Sequence, residues 1–436
     1  MICGCSSATG TANSNFPVVV FSDVHFNPFY DTTLFSALNS ADAGEWPGIF
    51  QKSSVTTPSA PGTDTNFPLL ELALASIRQN LGASPLVIYT GDILGHGILQ
   101  SYAQYSGTND VAPMQAFTDK TVAFVMQQIR SSVGDIPVVF AVGNLDSYTG
   151  YGSDSSFLSN TAELFYSQFL NGATDHQTFI NTFTSGGYYS AEPLGSKLMV
   201  IGLNTIAFSP LVPADGSVVD AELAWFDSRL ASAKAAGQKV WLLMHVPPGA
   251  DEGTTAKSVG SNGQIASATM MWETAYQATF LKILAKYPGV ITLTLAGHTH
   301  MDEYRVIFPG NVLEITPSIS PCFKNDPAFK VFAFDRDTFT PTDYSSLNYD
   351  LVTMPAEFNS YYTFSEAYSM QGSLGDSLAQ LFSALATNNA KQALYRGHFE
   401  SGNNPANPIT NANWPVYWAG IGKMTLQDII YSANSY

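Results

Sequence analysis

Short runs of β-branched and other apolar residues recur along this chain, each running into polar turn residues: PVVVFSD (17–23), PLVIYTGD (85–92), PVVFAVGN (137–144), KLMVIGLN (197–204), KVWLLMHV (239–246) and ITLTLAGH (291–298). Apolar runs without polar alternation predict strands buried on both faces. Between them, FPLLELALASIRQN (67–80), FTDKTVAFVMQQIRSS (117–132), AELAWFDSRLASAKAAG (221–237) and ETAYQATFLKILAKY (273–287) predict helices. The first and third carry apolar residues at helical spacing, and Gly237 closes the third as a C-cap would. Strands alternating with helices predict a layered α/β domain whose ligands gather beyond the carboxyl ends of the strands.

After His300 the pattern changes to EYRVIF, VLEITPS and FKVFAFD, with no long helix between them. These predict antiparallel strands completing a second sheet. From about Thr340 the chain becomes rich in Tyr, Ser and Asn, with helices predicted at SLGDSLAQLFSALATN (373–388) and near MTLQDIIYSAN (424–434). The expected organisation is a flexible N-terminal segment (1–15), a main α/β domain (16–339) and a mostly helical C-terminal subdomain (340–436). Residues 31–66 and 95–115 are rich in Gly, Ser, Thr and Pro, and loops this long in a compact domain are usually functional. No internal repeat is evident.

The 436 residues, 45% of them hydrophobic, are enough for one large or two ordinary domains with a substantial core. Only 18 Lys and Arg face 35 Asp and Glu, a formal charge of −17. Such a field repels polyanions, so nucleic acid polymers and anionic membrane surfaces are poor default partners. No stretch is long and apolar enough to span a bilayer. Three cysteines, two of them the neighbours Cys3 and Cys5, are too few for a disulfide framework. Ile2-Cys3-Gly4-Cys5 resembles the end of a bacterial lipoprotein signal, which implies a lipid anchor at Cys5; a chance small-residue N-terminus is the alternative. Low Lys content with abundant Ser, Thr, Asn, Tyr and Gly favours an exported protein, whether periplasmic, secreted or a surface lipoprotein.

Five of the seven histidines fall in four short cassettes that close or follow apolar runs: FSDVH (Asp23, His25), YTGDILGH (Asp92, His96), MHVPPG (His245) and LAGHTH (His298, His300). Asn144 of AVGNLD occupies a fifth. If Asp-x-His and His-x-His continue their strands, alternate side chains share a face and each pair can meet one ion. Gly91, Gly143 and Gly297 stand directly before Asp92, Asn144 and His298 and allow tight backbone turns there. Each dipeptide spacing alone is more often a surface turn. Together, carboxylate, imidazole and amide groups delivered by several segments are what a two-metal hydrolytic site requires.

The order D-x-H, G-D, G-N, H, G-H-x-H resembles the calcineurin-like metallophosphoesterase superfamily over roughly residues 16–335. His96 four residues after Asp92, GHTHMDEYRV, and TPSISPCFKNDPAFKVFAFD (316–335) are similar to the acid-sphingomyelinase-like phosphodiesterase branch. Purple acid phosphatases place a Tyr ligand where this chain has Gly95, which argues against that branch. The resemblance implies a four-layer α-β-β-α sandwich of two mixed sheets, with a mostly helical C-terminal extension. It implies that Asp23, His25 and His300 hold one divalent ion, that Asn144, His245 and His298 hold a second, and that Asp92 bridges them. Mixed N and O ligands suit zinc, with manganese or iron as alternatives. The implied reaction is attack of metal hydroxide on a phosphodiester or pyrophosphate of a small nucleotide, phosphocholine ester or phospholipid head group.

His96 is then the expected general acid. Asp302 is expected to orient a liganding imidazole, and Asp146 to stand behind the ligands. One departure is plain: the family places a His directly after the Asn ligand, and this chain has Leu145. This departure leaves open a low-activity metal-binding surface protein, and a phosphomonoesterase with the same metals is a further alternative. His176 and His398 lack partners at ligand spacing and read as surface or hydrogen-bonded residues, while Tyr188, Tyr189 and Trp272 read as core or interface aromatics and Asn204 as structural.

Overall fold

Each of the six apolar runs forms a strand that ends at or shortly before the polar turn residues. The computed structural model describes residues 15–170, 172–212, 215–308, 311–402 and 408–436. The predicted N-terminal segment up to residue 14, and Cys5 with it, lies outside the described residues. The strands are β1 (Asn15–Phe21), β2 (Val87–Tyr89), β3 (Val138–Phe140), β4 (Tyr189–Ala191), β5 (Leu198–Gly202), β6 (Lys239–Leu243), β7 (Ile291–Ala296), β8 (Glu303–Phe308), β9 (Asn311–Ile315), β10 (Ala328–Asp335), β11 (Pro341–Asn348) and β12 (Asn359–Thr363). They build two six-stranded mixed sheets, ordered β12-β11-β10-β1-β2-β3 and β4-β5-β6-β7-β9-β8.

The predicted helices lie between these strands. Phe67–Asn80 is started by the Asn66 side chain, which accepts from the Leu69 amide, and by a proline in the first turn, where no intrahelical donor is lost. Gly216–Ala236 ends at Gly237, whose φ of 68° is the left-handed cap a glycine adopts at least cost. Helices Val111–Val133 and Thr274–Lys286 complete the outer layers, so the architecture is an α-β-β-α sandwich. Between the sheets, Trp241 of β6 packs on Phe334 of β10 with ring centroids 4.3 Å apart, and Tyr189 of β4 packs on Phe140 of β3 at 4.8 Å. The Tyr189 hydroxyl donates to the Phe140 carbonyl, which satisfies the one polar atom this contact buries.

Two sequence expectations change. β8 and β9 are antiparallel and join the second sheet as predicted, but β10 crosses to the first sheet and pairs antiparallel with β1. The proline-broken segment 316–327 makes that crossing, and its Ile319 and Ser320 amides donate to the carbonyls of Ser22 and Asp23 on the way. The boundary expected at residue 340 falls between β10 and β11, which pair antiparallel, so the helices beyond it grow from a strand pair integral to the first sheet.

Candidate metal centre

Five of the expected ligands have backbones in the left-handed region: Asp23 (φ 50°), His25 (43°), Asp92 (62°), His298 (75°) and His300 (68°). Such conformations cost non-glycine residues about 1–3 kcal/mol each and persist where the surroundings over-determine them. The convergence of these side chains therefore arises from left-handed kinks beyond the strand ends. It does not come from strand alternation, since β1 stops at Phe21 and β7 at Ala296. Backbone bonds hold the kinks: the Asp23 amide to the Gly91 carbonyl at 2.9 Å, His25 to Asp92 at 3.0 Å and Ser320 to Asp23 at 3.0 Å.

Of the three preceding glycines only Gly91 (φ 104°) serves a turn. Gly143 and Gly297 serve close approach: a Cβ at 143 would run into the backbone and carboxylate of Asp92, and one at 297 into the Ser22 hydroxyl and the Asp23 carboxylate. Gly143→Ala is expected to displace Asp92 and abolish divalent-ion binding measured by calorimetry, whereas Gly48→Ala, which meets nothing within 4 Å, leaves binding intact. Full binding by the Gly143 variant would show that the Asp92 turn yields.

The seven side chains form one cluster. The Asp92 Oδ2 atom lies 3.4 Å from His25 Nε2 and 3.2 Å from His245 Nε2, between the two halves of the site. Asp23 Oδ1 is 3.6 Å from His25 Nε2 and 3.4 Å from His300 Nε2. Asn144 Oδ1 is approached by His245 Nε2 at 2.9 Å and His298 Nδ1 at 2.7 Å. Asp23, His25, Asp92, Asn144, His245 and His300 are all buried, and His298 is partly exposed, so the cluster opens on the His298 side.

Hydrogen bonds behind the rings say what those atoms are for. His25 Nδ1 donates to the Leu94 carbonyl at 3.0 Å and His245 Nδ1 to the Thr90 carbonyl at 2.7 Å, which leaves both Nε2 lone pairs facing inward. His25 Nε2 then meets His300 Nε2 at 3.0 Å, and His245 Nε2 meets the Asn144 amide oxygen. Acceptors set this close repel one another unless a cation or proton lies among them. The cluster's own field agrees: burial pushes the His25 and His245 imidazoles down, but Asp92 and Asp23 outweigh it and raise both to about 9. The donor set, with Asp23–His25–His300 and Asp23–Asp92–His245 each converging, thus fits divalent ions.

Other expected residues fall in different places. His96 packs its ring on His25 (centroids 4.6 Å, 27° between planes), and its side chain is 48% exposed. Asp64, which sequence reasoning missed, binds His96 Nδ1 through Oδ1 at 2.8 Å. The only signal for it was its place in the long 31–66 loop. Asp146 accepts from the Ile93, Leu94 and Gly143 amides and so ties the Asp92 and Asn144 turns together. Leu145 is buried in the core, and its amide donates to Asp92 Oδ1 at 2.8 Å.

Asp302 requires correction, because it does not orient an imidazole. Its carboxylate is engaged by Lys330 Nζ at 2.7 Å and by the Tyr362 hydroxyl at 2.8 Å, since the left-handed turn at His300 carries the chain away from the cluster. His176 pairs with Glu163 on the surface, and His398 stacks on Tyr362 and bonds the Tyr368 hydroxyl. Asn204 pins the Gly186 carbonyl, Trp272 is buried, and Tyr188 packs on Trp225.

Beside His298 lies a cavity of about 220 Å³ whose lining includes Asp251, Glu400, Met301, Phe323 and Tyr417. Phe323 is exposed, and its ring meets His300 edge-on at 4.6 Å. Among the described residues no helix is long and apolar enough to cross a membrane.

A family model described as calcineurin-like phosphoesterase matches residues 16–302. The sphingomyelinase phosphodiesterase C of Dictyostelium discoideum is 25% identical over 68% of this chain, and the match spans 64% of that relative's length, just under two thirds. The acid sphingomyelinase-like phosphodiesterase 3b of Homo sapiens is 22% identical over 84% of this chain and 78% of its own. The cyclic GMP-AMP phosphodiesterase of Mus musculus is 22% identical over 87% and 82%. A dimetal phosphatase from Danio rerio superposes with a TM-score of 0.44 at 13% identity, covering 79% of this chain and 98% of that one.

Proposed function

The chain belongs to the calcineurin-like phosphoesterase family, and on that basis we propose that it is a dinuclear-metal phosphodiesterase of the acid-sphingomyelinase-like group. Its substrate is a phosphodiester or pyrophosphate of a small nucleotide or phosphocholine type. On this reading Asp23, His25 and His300 would hold one ion and Asn144, His245 and His298 the other, with Asp92 shared between them. The observation that supports this reading is Asp92 Oδ2, set 3.4 Å from His25 Nε2 and 3.2 Å from His245 Nε2, two imidazoles that the reading assigns to different ions. Two divalent ions there, zinc by ligand type, would polarise the phosphoryl oxygens and activate water.

The protein's own groups do the rest. His25 and His245 are fixed in the Nδ1–H tautomer by backbone carbonyls, so their lone pairs stay aimed inward without reorganisation. His96, half exposed beside His25, donates the proton that an alkoxide leaving group needs. The cavity, lined by Asp251 and Glu400 together with Lys257 and aromatic rings, suits a zwitterionic head group better than a polyanion. The names of the similar Dictyostelium discoideum sphingomyelinase phosphodiesterase and Mus musculus cyclic GMP-AMP phosphodiesterase support a diester substrate. The low Lys content supports export, and the Ile2–Cys5 resemblance supports an anchor at Cys5.

A panel of nucleotides, phosphocholine esters and sphingomyelin, run alongside metal analysis, tests the proposal. Two ions per chain and faster turnover of bis-p-nitrophenyl phosphate than of p-nitrophenyl phosphate are expected. Much faster monoester cleavage would make the protein a phosphomonoesterase, and no turnover by metal-loaded protein would make it a binding protein.

A further inference from the structure

Next to the metal cluster, a buried carboxylate is joined to the exposed histidine by two bonds. Asp64 Oδ1 lies 2.8 Å from His96 Nδ1, and Asp64 Oδ2 accepts from the His96 amide at 2.6 Å. The Asp64 side chain is only 7% exposed against 48% for His96. The carboxylate pairs with the His96 ring at 2.8 Å, and His25 also lies close to it.

The backbone around the pair is stitched to the metal loop. Phe26 bridges both Thr65 and Leu94, the Thr65 amide donates to the His25 carbonyl at 3.1 Å, and the Asn27 amide donates to the Thr65 carbonyl at 2.9 Å. Phe26 itself packs against Phe50 and Phe124. Gly95 makes the approach feasible, because a Cβ there would press on the Phe26 carbonyl and the Asp64 carboxylate. The ring of His96 is thus fixed in plane by the stack on His25 and in rotation by Asp64.

We propose that Asp64 is a positioning residue that holds the Nδ1–H of His96 so that Nε2 presents the proton to the leaving group. This rests on the reading of His96 as the proton donor. An imidazole has two nitrogens, and a donor presenting the wrong one is inactive. With Leu145 standing where the family carries another imidazole, the task falls on one ring, and its orientation matters correspondingly more. In the step itself a water oxygen bonds to phosphorus while its proton goes to solvent. The bond from phosphorus to the leaving oxygen breaks, and that oxygen takes the Nε2 proton of His96. His96 is left neutral, with Nδ1–H still on Asp64, and regains a proton from solvent.

The test uses Asp64→Asn and Asp64→Ala in the full chain, with His96→Ala and the double variant Asp64→Asn/His96→Ala. The expected result for Asp64→Asn is a kcat loss of about 10- to 100-fold on glycerophosphocholine, whose leaving group is an alkoxide, and a much smaller loss on bis-p-nitrophenyl phosphate. Metal content stays at the wild-type value, and the double variant is no slower than His96→Ala alone. Equal losses on both esters, or losses that multiply in the double variant, would overturn the proposal. So would a drop in bound metal, because His25, Asp64 and His96 also converge closely enough to hold an ion of their own. If the wild-type protein turns over neither ester, the functional reading fails separately. Nitrogen-15 spectra of labelled histidine then decide the matter: a retained Nδ1–H on His96 that is lost in Asp64→Ala supports the orientation, and an unchanged tautomer refutes it.

Discussion

Replacing His96 with alanine is expected to slow hydrolysis of alkyl phosphodiesters by about 10²- to 10⁴-fold, the usual span for a lost general acid. Bis-p-nitrophenyl phosphate should slow by less than about tenfold, because p-nitrophenolate leaves without a proton. The asymmetry follows from position. His96 is half exposed and stacks on His25, and its ring contributes to neither group of converging ligands that contains Asp23. Its removal spares the donors expected to hold the ions, so metal content should not fall. The measurement is kcat across a leaving-group series with metal analysis of each protein. A uniform loss on activated and unactivated esters would remove His96 from the acid role and return it to a supporting one.

The second large effect concerns stability. Lys330, fully buried in β10, lies 2.7 Å from Asp302 Oδ1 and 2.6 Å from Glu314 Oε2. Lys330→Met should destabilise the protein by about 3–5 kcal/mol near pH 8, since it strands two buried carboxylates without their cation. The loss should shrink at pH 5. Burial already pushes Glu314 up to about 7, against the pull of Lys330, and removing that cation raises it further. A carboxyl whose folded pKa is raised favours the folded state fully below its unfolded value of about 4.5 and loses that contribution as pH rises through the folded pKa. Urea unfolding of both proteins at pH 5 and pH 8 reads the difference. An equal loss at both pH values would mean that the stranded acids find water or another partner.

The chemistry was legible locally because ligand types sit directly after strands, and strand ends are visible as breaks in apolar runs. Asp23, His25, Asp92, Asn144, His245, His298 and His300 could all be named from such breaks, and the structure gathers them into one cluster. Strand continuation does not bring them together; a left-handed backbone at five of them does, and that leaves no trace in hydrophobic periodicity. Gly143 and Gly297 showed themselves as glycines, yet the close approach that requires them involves Asp92 and Asp23, which are remote in the chain. Asp302 misled because a spacing of two from His300 suggests a neighbour, while the kink at His300 directs it to Lys330.

The sequence by itself determined the alternation of strands and helices, the layered α/β class and the identity of the donors, because burial pattern and ligand chemistry are properties of short segments. Only the tertiary structure decided which sheet β10 joins, which nitrogen of each imidazole faces inward, and that Asp64 reaches His96 across 32 positions of chain. Those outcomes depend on pairings between distant segments, where a backbone carbonyl or a single carboxylate selects one geometry among several that the local sequence permits equally.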